Sequence, residues 1–384
     1  MDAVVSTTDP DPTVVAVHPH ADLYGSDRMF LESVDTLAPG ATVVLPKRGP
    51  LVAEIERRNL PLEVRPFPVL RKVELRTPWA VLRFLVRFVG SLLTTTAWLR
   101  SRRTSVLYVS TVAAPQWILA GRLSGARVVC HVHESEPQMS RLTSAVLLSP
   151  LLAAHLVIAN SEDCRAWITA SLGRRAARRC QVIYNGVREP APDAAPVEAR
   201  SGGSAEIVVV GRLSERKGQD VAIAATALVR EAGFDVRLTL VGDGYPGYED
   251  YVDGLRTLTG TAGVADVTEF AGFQDPAGYV AAADVVLVPS RIEPFGLVAV
   301  EALLLGRPVV ASRVGGLQEI IDDGRTGLLV EPDDPRALAD AIIVLLADPG
   351  AARALGRAGQ ADARARFSLE AYAATLSQAV LQQA

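Results

Sequence analysis

The sequence predicts an α/β protein made of two doubly wound domains, and three observations support that prediction. Short apolar runs rich in β-branched residues recur along the 384-residue chain. Alanine- and leucine-rich stretches with helical periodicity lie between them, such as GQDVAIAATALVREAG. A segment rich in proline and glycine interrupts the pattern over residues 188–204, and the pattern then restarts. Strands that alternate with helices build parallel sheets covered on both faces, and the second start indicates a second sheet.

The apolar runs are typical of central strands because they are continuous and do not alternate with polar residues. A strand buried on both faces of a parallel sheet has no polar side. The runs, in chain order, are TVVAVHP, ATVVLP, VLYVS, RVVCHVH, HLVIANS, EIVVVG, VRLTLVG, VVLVPS and RPVVAS. Such sheets bind ligands beyond the carboxyl ends of their strands, so the loops after these runs are the first candidates for a site.

The proline-rich break sets the expected domain boundaries. It lacks apolar periodicity, as a linker between domains does. We therefore predict a first domain over residues 1–190, a linker over 191–203 and a second domain over 204–365.

Composition argues against several classes of protein. A net charge of −4 and a pI near 5.8 give no electrostatic footprint for nucleic acid. The three cysteines, Cys130, Cys164 and Cys180, lack the spacing of a disulfide framework or a zinc site, which fits a reducing compartment. The acidic, proline-broken start MDAVVSTTDPDP lacks the features of an export signal, so we expect a cytoplasmic protein.

One uncharged stretch, residues 142–161, has the length of a membrane span. Pro150, His155 and Asn160 interrupt it, and HLVIANS at its end is typical of a strand. The expected structure is therefore a buried helix followed by a short buried strand.

A second segment, residues 71–103, suggests contact with a membrane surface. Interfacial helices carry aromatic and basic residues together on anionic leaflets, and a core helix with a solvated arginine edge is the alternative. The residues of this type are Trp79, Phe84, Phe88, Trp98, Arg83, Arg87, Arg100, Arg102 and Arg103.

Two candidate ligand-binding cations, Arg212 and Lys217, follow the first strand of the second domain. EIVVVG ends at Gly211, and RLSERKGQD then places Arg212 and Lys217 on a loop ahead of a helix. Fixed cations beside a helix N-terminus suit a diphosphate whose negative charge grows as it leaves. A solvated loop of mixed charge is the alternative.

A glycine pattern further on invites a dinucleotide-binding interpretation. Gly242, Gly244 and Gly247 form G-x-G-x-x-G, with Asp266 and Glu269 about 20 residues on. Proline and tyrosines inside the pattern make a poor start for the tightly packed helix that the fingerprint requires, so a turn after a strand explains the glycines better.

Two glutamates, Glu293 and Glu301, stand in the almost entirely apolar stretch SRIEPFGLVAVEALLLGRPVVASRVGG. Pro294 and Gly296 break regular structure, so Glu293 falls on a loop and Glu301 in the helix that follows. A buried carboxylate needs donors, either from the protein or from the hydroxyl groups of a ligand. Two carboxylates beside a Pro-Phe-Gly break favour the ligand.

This stretch resembles the E-x7-E signature of the retaining glycosyltransferases of family 4, which adopt the GT-B fold of two Rossmann-like domains facing across a cleft. The first half of the chain resembles the family more loosely than the second. The resemblance also implies that a closing helix over residues 366–384 crosses back to the first domain. The similar blocks are ANSEDCRAWI and VIYNGV before the linker, and VVGRLSERKGQD, VGDG, TEFAGF, ADVVLVPS and GGLQEIIDDGRTGLLVEPDDP after it.

The resemblance implies how the second domain would bind a nucleotide sugar. Arg212 and Lys217 would hold its diphosphate. The backbone of Phe295, Gly296 and Leu297 would approach the sugar and the phosphates.

The resemblance also implies the reaction. Glu301 would accept hydrogen bonds from ribose hydroxyls, and Glu293 would contact the donor sugar near its reacting face. A hexose-like group would pass to an acceptor hydroxyl with retention at the anomeric carbon. No metal or other cofactor is expected, because Arg212, Lys217 and the helix start after Gly296 neutralise the leaving diphosphate. Double displacement and same-face attack both stay open as routes.

The first domain supplies three further candidates through the resemblance. Gly25 and Ser26 follow the first strand, where the family has a glycine loop that meets the donor phosphates, although Tyr24 replaces a more usual glycine. His133 ends a strand where the family often has a histidine lining the reaction centre. His131 is expected to face away from it as a structural histidine.

The expected partners are a nucleotide-sugar donor and a glycan or lipid-linked acceptor, in cell-envelope polysaccharide or glycolipid synthesis at the inner face of the cell membrane. Three alternatives remain. They are a GT-B enzyme with other nucleotide-sugar chemistry, such as a 2-epimerase, a non-catalytic nucleotide-sugar-binding protein, and an NAD-dependent oxidoreductase that rests on the glycine pattern alone.

Overall fold

A computed structural model describes most of the chain as two compact units. The described residues are 13–37, 40–70, 77–189, 203–244 and 247–381. The first unit takes in those within Met1–Asn160, Arg165–Ile183 and Ala373–Ala384, and the second takes in Ser161–Cys164 and those within Tyr184–Tyr372.

The units divide the chain at different points from the predicted boundaries. Residues 184–189, expected to end the first domain, cluster with the second unit, where the backbone N–H of Val187 donates to the carbonyl of Phe367 at 2.9 Å. The last helix clusters with the first unit from Ala373 onward. There the Arg127 guanidinium donates to the carbonyl of Ala379 at 3.1 Å.

The first unit contains a parallel sheet of seven strands. These are β1 (Val14–Val17), β2 (Thr42–Leu45), β3 (Leu62–Val64), β4 (Val106–Ser110), β5 (Arg127–Val132), β6 (Leu156–Ala159) and β7 (Cys180–Val182). Their order across the sheet is β3-β2-β1-β4-β5-β6-β7. Central strand β1 is buried along its whole length, with Val15 paired to Thr42 on one side and to Leu107 on the other.

Helices connect these strands, and local capping sets where two of them begin. The Thr77 side chain accepts from the N–H of Ala80, and that of Ser140 accepts from Thr143. The helices are α1 (Gly25–Leu37), α2 (Pro50–Arg57), α3 (Pro78–Ser101), α4 (Pro115–Ser124), α5 (Arg141–Leu148), α6 (Glu162–Leu172) and α7 (Arg174–Ala177).

The second unit contains a parallel sheet of six strands. These are β8 (Ala205–Val210), β9 (Val236–Val241), β10 (Thr268–Gly272), β11 (Val285–Val288), β12 (Val309–Ser312) and β13 (Leu328–Val330). They run in the order β10-β9-β8-β11-β12-β13. The helices between and after them are α8 (Gln219–Glu231), α9 (Glu249–Thr261), α10 (Ala277–Ala282), α11 (Leu297–Leu304), α12 (Leu317–Ile320), α13 (Pro335–Ala347) and α14 (Pro349–Arg366). The last helix, α15 (Leu369–Leu381), belongs to the second unit only as far as Tyr372.

Each sheet reverses its strand order at one central point. In the first unit the reversal lies between β1 and β4, and in the second between β8 and β11. The connections from these neighbouring strands leave in opposite directions, which opens a crevice at their carboxyl ends. The loops after β8 and β11 are those on which the sequence placed Lys217 and Glu293.

Residues 142–161 do not form the buried helix that was expected. Helix α5 and a 3₁₀ turn (Ser149–Ala153) precede strand β6, and α5 leaves Leu142 and Val146 exposed. The helix lies against the rest of the unit along one side only, so its apolar composition is not explained by burial. The strand after it, β6, was predicted correctly.

Candidate active site

Lys217 and Glu293 meet where the strand order of the second sheet reverses. Lys217 ends the 3₁₀ turn Glu215–Lys217 after β8, and Glu293 lies on the loop after β11. The Lys217 Nζ donates to Oε2 of Glu293 at 2.5 Å, and the Ser290 hydroxyl donates to the same oxygen at 3.0 Å. Glu293 is 8% exposed. Protein donors, one of them cationic, therefore stabilise one oxygen of this buried carboxylate.

Glycines allow the loops around this pair to touch. Gly218 follows Lys217 with φ +67°, and a Cβ there would lie 2.0 Å from the carbonyl oxygen of Pro289. Gly315 has φ +46°, and its Cβ would lie 2.2 Å from the carbonyl oxygen of Glu293. The N–H of Gly316 donates to that same carbonyl at 3.0 Å. Any side chain at these positions would push the Glu293 loop away.

Helix α11 begins four residues after Glu293. Gly296 caps it with φ +118°, a conformation that L side chains rarely adopt. Phe295 is buried, with its ring centroid 5.8 Å from that of Phe367, and Leu297 is half-buried. The first N–H groups of a helix have no intrahelical partner, so the start of α11 favours an anion.

Glu301 and Arg212 lie on the predicted elements, but Glu301 is more exposed than expected. It stands in α11 and is half-buried, so the prediction of two buried glutamates is correct for Glu293 only. Arg212 follows Gly211 and is half-buried, and its carbonyl accepts from the side-chain amide of Gln219 at 2.9 Å.

In the first unit, Gly25 and Ser26 are the first two residues of α1. The next residue, Asp27, is buried and hydrogen-bonded to His18 Nε2 at 2.7 Å and to the N–H of Tyr24 at 2.8 Å. Burial alone would raise the pKa of Asp27, but the hydrogen bond and charge of His18 lower it.

The structure also brings together possible metal ligands in this unit. Nitrogen and oxygen atoms of His18, His20 and Asp27 lie within 4.8 Å of one another. The direct 2.7 Å bond between His18 and Asp27 uses one ligand atom of each, which is the arrangement of a hydrogen-bonded pair.

His133 follows β5 and its Nε2 is enclosed without a hydrogen-bond partner. The ring is half-buried, and burial lowers the pKa of His133 to about 3, so it is neutral at physiological pH. The expectation that His131 faces away is wrong, because residues two apart on a strand share a face. The two rings lie 4.1 Å apart, and His131 Nδ1 shares a hydrogen bond of 2.6 Å with the hydroxyl of Tyr108.

The glycine pattern after β9 serves the sheet and does not start a helix. A Cβ on Gly242 would lie 2.1 Å from the carbonyl oxygen of Gly211, and helix α9 begins only at Glu249. Asp266, the acidic residue that a dinucleotide would need, forms a bidentate pair with Arg230, with N–O distances of 2.9 and 3.2 Å. These contacts agree with the prediction that the glycines form a turn after β9 and do not form a dinucleotide-binding site.

A cavity of about 620 Å³ lies elsewhere in the second unit. Its lining includes Ala205, Asp284 and Pro308, which come at or before the starts of β8, β11 and β12. Ligands of doubly wound sheets bind at the opposite, carboxyl ends, so we place the candidate site at Lys217 and Glu293.

Sequence reasoning missed several residues that build this site. The Ser290 hydroxyl donates to the Glu293 carboxylate. Gly315 lies too close to the Glu293 carbonyl oxygen to carry a side chain, and the N–H of Gly316 donates to that oxygen. The sequence did hold a signal for the contact between the glycines and the Glu293 loop, because two adjacent glycines follow strand β12 and often mark a close approach of two backbone segments. The Ser290 contact had no separate signal, because serine at a strand end is common.

Two family models match the chain in succession. The one described as Glycosyltransferase Family 4 matches residues 41–189, and the one described as Glycosyl transferases group 1 matches residues 204–348. The D-inositol 3-phosphate glycosyltransferase of Arthrobacter sp. (strain FB24) is 39% identical over 188 residues, 46% of this chain and 44% of that protein. The match therefore spans less than half the length of this relative.

Solved structures match almost the whole chain. Anabaena Alr3699/HepE in complex with UDP-glucose has a TM-score of 0.80 at 26% identity, covering 97% of this chain and 98% of that one. Sucrose-phosphate synthase from Thermosynechococcus elongatus has a TM-score of 0.77 at 25% identity, covering 97% and 99%. These likenesses confirm the predicted fold class of two doubly wound α/β domains. With both of its halves matched in order, the chain belongs to the GT-B glycosyltransferases of family 4.

Proposed function

We propose that this chain transfers a sugar from a nucleotide-sugar donor to an acceptor hydroxyl. The observation that supports it most is the meeting of Lys217 with Glu293 at the strand-order reversal of the second sheet. A lysine held by a buried carboxylate is a fixed cation, as an anionic ligand at the carboxyl ends of the strands requires. A related structure contains UDP-glucose, a ligand of this class.

In this proposal Lys217, Arg212 and the start of α11 neutralise the leaving diphosphate without a metal. Lysine and arginine offer three and five N–H donors, so Lys217 can keep Glu293 and still contact a phosphate oxygen. Glu301 accepts from the ribose hydroxyls, and the backbone of Phe295, Gly296 and Leu297 lies against the donor.

The sugar is transferred with retention at its anomeric carbon: the bond from that carbon to the diphosphate oxygen breaks, a bond to the acceptor oxygen forms, and the proton of the acceptor hydroxyl leaves with the nucleoside diphosphate. Glu293 faces the donor sugar through its second oxygen, and His133 accepts or donates a hydrogen bond through its unpaired Nε2 as a neutral ring. The role of Gly25 and Ser26 at the donor phosphates comes from the family resemblance and stays a prediction.

The test is nucleotide release from a panel of nucleotide sugars, each mixed with a panel of soluble sugar alcohols and glycosides as hydroxyl acceptors, measured with EDTA and again with Mg²⁺. We expect turnover of one donor in EDTA, a product with the donor's anomeric configuration by proton NMR, and a loss of about 100-fold or more in Lys217→Ala. Lys47→Ala, which removes an exposed lysine after β2, is the control and should keep wild-type turnover. A requirement for Mg²⁺, inversion of configuration or equal loss in both variants would contradict the proposal.

We also propose that the first unit rests on an anionic membrane surface, in cell-envelope polysaccharide or glycolipid synthesis. The supporting observation is an apolar stripe on α3, where Trp79, Leu82, Val86, Val89 and Leu93 recur at helical spacing and are exposed. Trp79 is 72% exposed and Val86 66%.

The charges beside this stripe and the length of the apolar helix are those of a helix that lies on a membrane surface. Arg83 and Arg87 beside it are exposed, whereas Arg100 donates to the carbonyl of Leu123 and Arg102 pairs with Glu63. Among the described helices, only α3 has the length and apolar composition to cross a membrane, and 11% of that stretch is buried. Its last turns pack in the unit, with Leu99 fully buried. Residues 71–76 of the predicted segment lie outside the described chain.

Other exposed apolar residues lie on the elements next to α3. Helix α3 packs on α4, α4 on the turn Ser149–Ala153, and that turn on α5. Large exposed apolar side chains on these neighbours are Leu123, Leu142, Val146 and Leu152. Such a patch on a domain surface marks an interaction site, and the arginines select an anionic one.

Vesicle sedimentation tests the membrane proposal. We expect binding to vesicles of phosphatidylglycerol and phosphatidylcholine, weak binding to phosphatidylcholine alone, and a fall of about fivefold or more in partitioning for Val86→Asp. Val344→Asp, in the second unit, is the matched control because Val344 is 63% exposed on a helix. Equal partitioning of the two variants, or no binding by the wild type, would contradict this proposal.

A further inference from the structure

We propose that the ion pair between Arg291 and Asp220 positions Lys217 against Glu293, so that both are preset for the donor. This inference rests on the proposed function of the site. Arg291 and Asp220 are therefore positioning residues, since neither is assigned a contact with donor or acceptor.

The Arg291 guanidinium joins three separate segments of the second unit. Its two terminal nitrogens donate to the two carboxylate oxygens of Asp220 at 2.9 and 2.6 Å. One of them also donates to the carbonyl of Glu215 at 2.6 Å, and Nε donates to Asp333 at 2.5 Å. A planar guanidinium held by two carboxylates and a carbonyl has a fixed orientation.

The backbone of Arg291 is tied to the same turn. Its N–H donates to the carbonyl of Arg216 at 2.8 Å. Side chain and backbone of Arg291 thus hold the two residues immediately before Lys217. Arg291 itself lies two residues before Glu293, so one residue sets the separation between the two loops that carry the pair.

Asp220 fixes Arg291 from the first turn of α8. Burial would raise the pKa of Asp220, but the hydrogen bonds and charge of Arg291 lower it, and Asp220 stays ionised at neutral pH. The Tyr251 hydroxyl adds a hydrogen bond to Oδ1 at 3.2 Å. A carboxylate at this end of a helix is also favoured by the helix dipole.

The other end of α8 provides a matched comparison. Arg230 and Asp266 form a second bidentate arginine–aspartate pair, which contacts neither the turn at Glu215 nor the loop at Arg291 through any described hydrogen bond. Asp266→Asn therefore breaks an equivalent pair in the same unit without touching the Lys217 loop.

Two measurements test the inference. Amide hydrogen exchange of the ligand-free protein reports on the loops directly: Asp220→Asn should speed exchange of residues 215–218 and 291–293 roughly tenfold, and Asp266→Asn should leave them unchanged. Calorimetry with UDP then measures coupling. Asp220→Asn should weaken UDP binding about five- to tenfold in the wild-type background and less than about twofold in the Lys217→Ala background.

The outcomes separate this inference from the donor-site proposal. If Lys217→Ala weakens UDP binding while Asp220→Asn does not, or if the two effects simply add, the positioning role is wrong and the donor site stands. If the wild type does not bind UDP, the coupling is measured with the nucleoside diphosphate of the panel that does bind, and the exchange data decide the positioning role independently. Unchanged exchange at residues 215–218 in Asp220→Asn would overturn the inference in either case.

Discussion

Lys217 and Glu293 are 76 residues apart in sequence, and the Lys217 Nζ lies 2.5 Å from Oε2 of Glu293. Each follows a different strand, and those strands, β8 and β11, are neighbours at the reversal of the sheet. The site therefore has a fixed cation and a fixed carboxylate before any ligand arrives. Preset charges of this kind need little reorganisation when charge develops on a leaving group.

Gly218→Ala should separate the two loops. A methyl group would lie 2.0 Å from the Pro289 carbonyl oxygen, so the turn carrying Lys217 must shift. We expect UDP affinity to fall about tenfold or more, in addition to a cost of about 1–2 kcal/mol in stability for the left-handed backbone. Gly233→Ala is the control, because Gly233 has φ +93° and nothing within 4 Å of a new Cβ. It should lose similar stability and keep UDP affinity; equal affinity losses would contradict the account.

Glu293→Gln should separate donor binding from turnover. Glutamine keeps a side-chain oxygen that can accept from the Lys217 Nζ, and the ammonium has further N–H donors for a phosphate oxygen, so calorimetric UDP affinity should stay within about twofold of the wild type. Turnover of the nucleotide sugar should fall about 100-fold, because the charge facing the sugar is gone. Ser290→Ala, which keeps the Lys217 contact and removes one hydrogen bond, should show wild-type UDP affinity. A loss of UDP affinity in Glu293→Gln as large as its loss of turnover would contradict this separation of binding from turnover.

Glu301→Gln should weaken nucleotide binding through the ribose. A charged acceptor lost from ribose hydroxyls costs about 1.5–3 kcal/mol, which is roughly tenfold or more in affinity. The informative measurement compares UDP with its 2′-deoxy analogue on both proteins. The substitution should cost much less for the analogue, and an equal cost for both nucleotides would remove Glu301 from the ribose site.

His133 should make the stability of the protein depend on pH in a defined window. Its pKa is about 3 when folded and near 6.5 when unfolded, so the unfolded chain binds more protons between these values. The free energy of unfolding should therefore rise with pH from about 3 to 6.5 and level off above. His133→Gln should show a shallower rise over that window in chemical denaturation at several pH values. An identical slope in both proteins would mean that the ring is not held neutral by the fold.

Local pattern was enough to predict nine of the described strands and the loops that carry Lys217 and Glu293, but not the edge strands β3, β7, β10 and β13. Continuous apolar runs identified the central strands, and Lys217 and Glu293 were placed on loops because glycine and proline follow those strands. Parallel topology then brings the loops of adjacent strands together. Their pairing with each other was not predicted, since the carboxylate was assigned to a ligand and the lysine to a phosphate.

Contacts between segments that are far apart along the chain could not be predicted from the sequence. Arg291 and Asp220 are 71 residues apart, and neither lies in a pattern that distinguishes it from a solvated charge. The error at His131 was different, because the two-residue period of a strand already places it beside His133. The exposure of Leu142 on α5 could not be predicted either, since an apolar helix has the same composition in a core and at an interface.

Calorimetric titration of nucleoside diphosphates into the metal-free protein tests the central claim most directly. We expect tight binding of one nucleotide to the wild type and to Lys47→Ala, and a loss of roughly tenfold or more in Lys217→Ala. If no nucleoside diphosphate binds while NAD does, or if binding survives in Lys217→Ala, then the Lys217–Glu293 pair is not a donor site.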